Sequence, residues 1–194
     1  MNPDTGKRLS EMTNEELWQL FPISLAKYNR LWSAWFADEK RLLEDVLPAD
    51  RITAIRHIGS TSLGTIQAKP IVDIMVETKS FDDFPLIGTL LLNAGYRLMS
   101  EDGERFSFNK GYTEQGFAEK VFHLHLRKAG DCDELYFRDY LIDHPGIAKE
   151  YESLKLALWK KYEFDRDAYT EAKTDFIREH TRAARVEYGD RYCR

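Results

Sequence analysis

"RITAIRHIGSTSLGTIQAKPIVDIMVE", residues 51–77, decides the fold. Two β-branched runs, "RITAIRHI" and "IVDIMVE", flank a stretch of Gly, Ser and Thr, and Gly and Pro bound them. Such runs read as strands. Gly59 and Gly64 match the first half of a phosphate-binding P-loop, but Thr65 and Ile66 stand where Lys and Ser/Thr are required. The next strand also begins too soon for the long helix that follows a P-loop. A different phosphate device stays open. Gly59 lets backbone approach a ligand without a Cβ, and Ser60, Thr61 and Ser62 offer hydroxyls and N–H groups to an anion, with Lys69 as a cation. The alternative is that Ser60 or Thr61 only caps a short helix.

Strand alternation carries the reading further. In "IVDIMVE", Val72, Ile74 and Val76 form a core face, so Asp73 joins Ile71, Met75 and Glu77 on a face left to solvent or to a site. "VFHLHLR" repeats the pattern, with His123, His125 and Arg127 opposite Phe122, Leu124 and Leu126. Two histidines at i and i+2 can share a metal or a phosphate. In "RFSFNK", Phe106 and Phe108 point inward, Arg105, Ser107 and Asn109 outward, and Lys110 closes the strand end. Arg138, in "LYFRDYLIDH", pairs with Asp139 to lock a helix or reaches a phosphate with its forked donors.

Around these strands the chain alternates with helices. "NRLWSAWFADEKRLLEDVL" spaces Trp32, Trp35, Phe36, Leu42, Leu43 and Val46 as an amphipathic helix ended by Pro48, and "FDDFPLIGTLLLNAG" reads as a helix stopped by Gly95. "YRLMS" adds a strand. The last third is helical: Pro145 opens a helix with Ile147, Tyr151, Leu154, Leu158 and Tyr162 on one stripe, and Asp165 caps another that buries Tyr169, Ala172 and Phe176. The fold class is α/β (α+β), a mixed sheet with flanking helices and a helical C-terminal part. It forms one domain of 194 residues with its core at about 28–177, and residues 1–13 are expected to be loosely ordered.

Bulk composition narrows the functions. The net charge of −5 argues against a broad DNA or RNA footprint. No apolar run approaches a membrane span or a signal peptide core, and Cys132 and Cys193 make no disulfide framework, so a cytoplasmic home is expected.

"HIGSTSLGTIQAKPIVDIMVE", "HLHL", "FRDYLIDHPGIAKEYESLK" and "YTEAKTDFI" together resemble the GrpB family, in order from about Tyr28 to Ile177. The resemblance implies the nucleotidyltransferase superfamily, in which a Gly-Ser turn precedes an Asp-x-Asp pair and a third carboxylate lies on a later strand. Those carboxylates hold two Mg²⁺ ions that align a nucleoside triphosphate. Gly59 and Ser60 match the turn and Asp73 the second aspartate, while Ile71 replaces the first and His123 or His125 falls where the third would come. Glu77 cannot stand in, because four strand residues span about 13 Å. His and Asp together suit Zn²⁺ or Mn²⁺ better than Mg²⁺.

The expectation is a nucleotide or phosphate-ester site. Gly59, Ser60, Thr61, Lys69, Arg105, Lys110 and Arg138 hold the ligand; Asp73, His123 and His125 hold a divalent metal; Asp73 and His125 are catalytic. Fusion of the family to dephospho-CoA kinase in some bacteria implies the alternative, a degenerate binding module associated with CoA-biosynthesis proteins.

Overall fold

The computed structural model describes residues 1–2 and 6–192. Among them the chain forms a five-stranded sheet and seven α-helices. In chain order these are α1 (Asn14–Leu20), α2 (Leu31–Val46), β1 (Ile52–Ile58), β2 (Val72–Thr78), α3 (Phe84–Asn93), β3 (Arg97–Asp102), β4 (Arg105–Thr113), β5 (Gly116–Lys128), α4 (Asp133–Asp143), α5 (Pro145–Lys161), α6 (Arg166–Glu171) and α7 (Thr174–Tyr188). The strand order is β1-β2-β5-β4-β3. β2 and β5 run parallel and the other neighbours antiparallel, so the sheet is mixed, as expected.

Local chemistry sets the element ends. Thr13 caps α1, accepting from the Glu16 N–H, while the Glu16 side chain reaches back to Thr13. Pro85 and Pro145 sit in the first turns of α3 and α5, where a missing N–H leaves no helical bond unmade. Gly95 adopts φ +88° just past α3, a conformation that suits glycine.

The faces of the sheet follow the alternation. Val72, Ile74, Val76, Leu124, Leu126 and Phe108 pack with Trp32 and Leu43 of α2 and Phe84, Ile87 and Leu91 of α3. Each such side chain contributes about 1.5–3 kcal/mol by leaving water. The opposite face, expected to meet solvent or a site, is roofed instead. Met75 and Ile58 pack against Cys132, Leu135 and Tyr136 of α4 and Ala184 of α7. A second cluster, Ile66, Leu141, Ala148 and Tyr151, joins α4 and α5 beside it. The helical C-terminal part is therefore a lid bonded to the sheet, and what remains open beneath it is a cavity.

Three expectations change. The N-terminal stretch is seated where it is described: Asn2 is buried and donates to the Glu114 carbonyl at 2.7 Å, and Leu9–Glu11 forms a 3₁₀ turn. The helix expected from Asp165 is two helices. Asp165 does cap the first, accepting from the Ala168 N–H at 2.9 Å, but the chain breaks at Ala172 and Lys173. That break rotates the stripe, so that Lys173 is buried and Ala172 exposed. Finally, β4 runs on to Thr113 rather than closing at Lys110. Cys193 lies outside the described residues, and Cys132 is buried, with its Sγ 3.3 Å from the Gly130 carbonyl.

Candidate functional site

A cavity of about 870 Å³ lies between the sheet and α4–α7. Its floor is the Gly59 turn and the polar face of β2 and β5. In the parallel register Asp73 stands opposite His123 and Met75 opposite His125. The Asp73 Oδ1 lies 3.4 Å from His123 Nδ1 and 3.9 Å from His125 Nε2. The strand reading thus brought these three together correctly.

Hydrogen-bond directions assign their protons. Arg127 only donates, and its Nη2 is 3.2 Å from His125 Nδ1, so that nitrogen carries a lone pair and Nε2 carries the proton. On His123, Nδ1 faces the carboxylate and donates to it. Its Nε2 accepts from the Tyr112 hydroxyl at 2.8 Å, and that hydroxyl accepts from Arg166 Nη2 at 2.9 Å. A directed chain, Arg166 to Tyr112 to His123 to Asp73, results. Burial works to raise the Asp73 carboxyl, but His123 and His125 outweigh it and hold the group well below the usual carboxylate range. Burial pushes His123 down, against the pull of Asp73.

This arrangement does not suit a divalent ion. A metal needs lone pairs, and His123 uses both nitrogens while the open nitrogen of His125 carries a proton. Among the described residues no group of three or more His, Cys, Asp or Glu side chains is placed to hold a metal ion. The donors therefore do not fit the expected Asp73–His123–His125 metal set: His123 donates to the carboxylate at 3.4 Å, and the His125 ring stands 3.9 Å from it.

At the Gly59 turn the close neighbour of the backbone is a side chain of the protein itself. Gly59 has φ +68°, and a Cβ built there would lie 2.8 Å from the Asp73 Cγ and closer still to Oδ2. The group that approaches the bare backbone is Asp73 itself. Ser60–Ser62 is a single 3₁₀ turn. Thr61 is buried, its hydroxyl accepting from His57 Nε2 at 3.0 Å and donating to the Ile71 carbonyl at 3.2 Å, so it ties β1 to the entry of β2. Ser60 faces the cavity and accepts from Lys155 Nζ at 3.0 Å.

The expected cations divide. Lys69 lines the inner end. Arg138 borders the cavity but is held by Asp139 at 2.6 Å and by the His57 carbonyl at 2.9 Å, the helix-locking role. Arg105 lies at the rim, in a two-pronged pair with Asp131 at 2.6 and 2.7 Å. Lys110 is not at the site. Because β4 continues past Asn109, alternation puts Lys110 on the Phe106/Phe108 face, where its Nζ meets Glu39 of α2 at 2.7 Å.

Sequence reasoning missed Lys155, Lys173, Arg166, Tyr112 and the cavity-facing Tyr151 and Tyr169. Lys155 donates to the Gln67 carbonyl at 2.6 Å as well as to Ser60. Lys173 Nζ stands 4.2 Å from the Tyr169 ring centroid and Lys69 Nζ 5.5 Å from it. Burial first, then mutual repulsion, pushes Lys69 and Lys155 down to about 7, and burial pushes Lys173 down to about 8. A signal did exist. Lys155 is four residues after Tyr151, and Lys173 four after Tyr169, so each lysine interrupts an apolar stripe.

The comparisons identify the family and the fold. The family model described as "GrpB protein" matches residues 22–183. Glutamate-rich protein GrpB of Alkalihalophilus pseudofirmus is 36% identical over 164 residues, 81% of this chain and 92% of that one. UPF0157 protein YqkA of Bacillus subtilis is 32% identical over 168 residues, 84% of this chain; the match spans 48% of YqkA, about half its length. The crystal structure of conserved protein GrpB from Enterococcus faecalis superposes with a TM-score of 0.74 at 27% identity, covering 85% of this chain and 99% of that one. No helix among the described residues is long and apolar enough to cross a membrane. With the family model matching residues 22–183 and a relative 36% identical over most of both chains, the chain belongs to the GrpB family.

Proposed function

We propose that the chain binds a nucleotide or a related phosphate ester in the cavity under α4–α7. The observation that carries this reading is the crowding of Lys69, Lys155, Lys173 and Arg166 at the inner end, in a protein whose net charge is −5. These cations outnumber the carboxylates that act on them, Asp73 and Glu152, and favour an anionic guest. Ser60 and the lysines hold its phosphate, and the His125 Nε2–H donates to a phosphate oxygen. Asp73, kept ionised, and His125 form the acid/base pair if transfer occurs. The nucleotidyltransferase resemblance favours a nucleotide.

A specific observation also favours a second reading, a binding module without chemistry. Ile71, where the superfamily's first aspartate belongs, is a buried aliphatic side chain, and the donors around Asp73 do not fit two metal ions.

Calorimetric titration with ATP, CTP and dephospho-CoA, each in EDTA and with Mg²⁺, Mn²⁺ or Zn²⁺, tests both. Saturable binding of at least one, weakened about tenfold or more in Lys69→Ala, is expected, since a lost charge-assisted contact is worth about 1.5–3 kcal/mol. Turnover abolished by Asp73→Ala assigns a transferase, and binding without turnover assigns the module. Absence of binding to all three overturns the proposal.

A further inference from the structure

We propose that the inner end of the cavity takes the dianionic phosphomonoester end of its ligand, and that lysine ammonium groups, not a divalent cation, neutralise it. This rests on the phosphate-ester reading above and narrows it to one phosphate chemistry.

Every packed element contributes to the charge there. Lys69 comes from the loop before β2, Lys155 from α5, Lys173 from the break between α6 and α7, and Arg166 from α6. The sheet supplies Asp73, His123 and His125. Glu152 of α5 acts on Lys155 but is already tied to Lys149 at 2.8 Å and to the Gln67 N–H. Asp73 is engaged by His123. Among the described residues Lys69 and Lys173 have no hydrogen-bond acceptor and no carboxylate within ion-pair distance. Lys155 meets only the neutral oxygens of Ser60 and Gln67. The buried Tyr169 hydroxyl, also on the cavity wall, has no hydrogen-bond partner. An unpartnered donor beside unneutralised amines is a cradle for oxygen atoms that bring their own charge.

The balance of charge selects the phosphate. A phosphodiester brings one negative charge, whereas a monoester carries nearly two above its second pKa of about 6. A phosphate already chelated by Mg²⁺ would put a further cation among the lysines. Three crowded amines with one occupied carboxylate do not all hold their protons at neutral pH, in line with their lowered pKa values. An arriving dianion restores those protons, so binding takes up protons from solution.

Calorimetry of the full chain with AMP, its phosphate methyl ester and inorganic phosphate is the test. The expected result is that AMP binds in EDTA at least about tenfold tighter than the methyl ester and no better in excess Mg²⁺. At about pH 8, titrations in buffers of different ionisation enthalpy should report uptake of about one to two protons. Affinity should fall about tenfold or more between about pH 7 and pH 9, because the group that titrates must be protonated in the complex. Lys69→Met should reduce both the proton uptake and the preference for the monoester, while its circular dichroism stays that of the parent. Equal affinity for the methyl ester, a requirement for Mg²⁺, or binding without proton uptake overturns the proposal and leaves the phosphate-ester reading standing. Failure of all three probes, together with ATP, CTP and dephospho-CoA, overturns both.

Discussion

The two faces of strand β2 show how one run of seven residues serves opposite ends. On one face Val72, Ile74 and Val76 are wholly enclosed by α2 and α3. On the other, Asp73 stands beside His123 under a roof of helices that leaves a cavity open above it. Both faces are covered by helices, so being covered does not distinguish them. Packing does: one side is filled by side chains in contact, the other is walled by charged groups that face a void. The half-buried carboxylate of Asp73 stands on the second side, where two imidazoles and nearby cations hold it ionised.

Moving a charge across the strand breaks that comparison most severely. Ile74→Asp places a carboxylate among Leu124, Phe84 and Leu91 with no partner, and is expected to cost more than about 4 kcal/mol and leave no cooperative unfolding transition by circular dichroism. A thermal midpoint close to that of the parent would mean that the closed face is not closed.

Gly59→Ala comes next. It combines a positive φ with a Cβ that collides with Asp73, for an expected loss of about 2–4 kcal/mol in a denaturant titration. The double change Gly59→Ala with Asp73→Gly removes the collision and keeps the φ penalty, so about half the loss should return. If nothing returns, Asp73 is not what excludes a side chain at Gly59.

The mildest change is Lys110→Met on the closed face. It removes a cation from Glu39, which keeps the Tyr96 hydroxyl at 2.9 Å, and should cost about 1–3 kcal/mol of stability. Affinity for a phosphate ester should not change, because Lys110 does not line the cavity. A tenfold loss of affinity in calorimetry would return Lys110 to the site.

Much of this was legible in residues 51–77 and 120–127. β-Branched runs gave the strands, and alternation placed Asp73, His123 and His125 on one face. Ile71 was also recognisable as the departure from a two-aspartate site. Alternation says which residues share a face; it does not say what covers that face. Met75 was therefore expected in the open and is enclosed by α4 and α7. Lys110 lies off the site because β4 does not end there but continues to Thr113. The lysines of the cavity were hidden for another reason: they come from helices far along the chain, whose stripes read as ordinary core. Lys173 needed the helix break at Ala172 to be known before its direction could be.

The parallel pairing of β2 with β5 has a consequence for how the molecule reaches this state. Asp73 and His123 meet across that pairing, with all of α3, β3 and β4 lying between them in sequence. Contacts of such long sequence separation must close a large loop before they gain any stabilisation, and so they form late. During synthesis Asp73 emerges well before the histidine that keeps it ionised, and the roof that holds Lys155 and Lys173 follows later still. A chain cut short before α5 would carry its carboxylate with Lys69 but without Lys155 and Lys173.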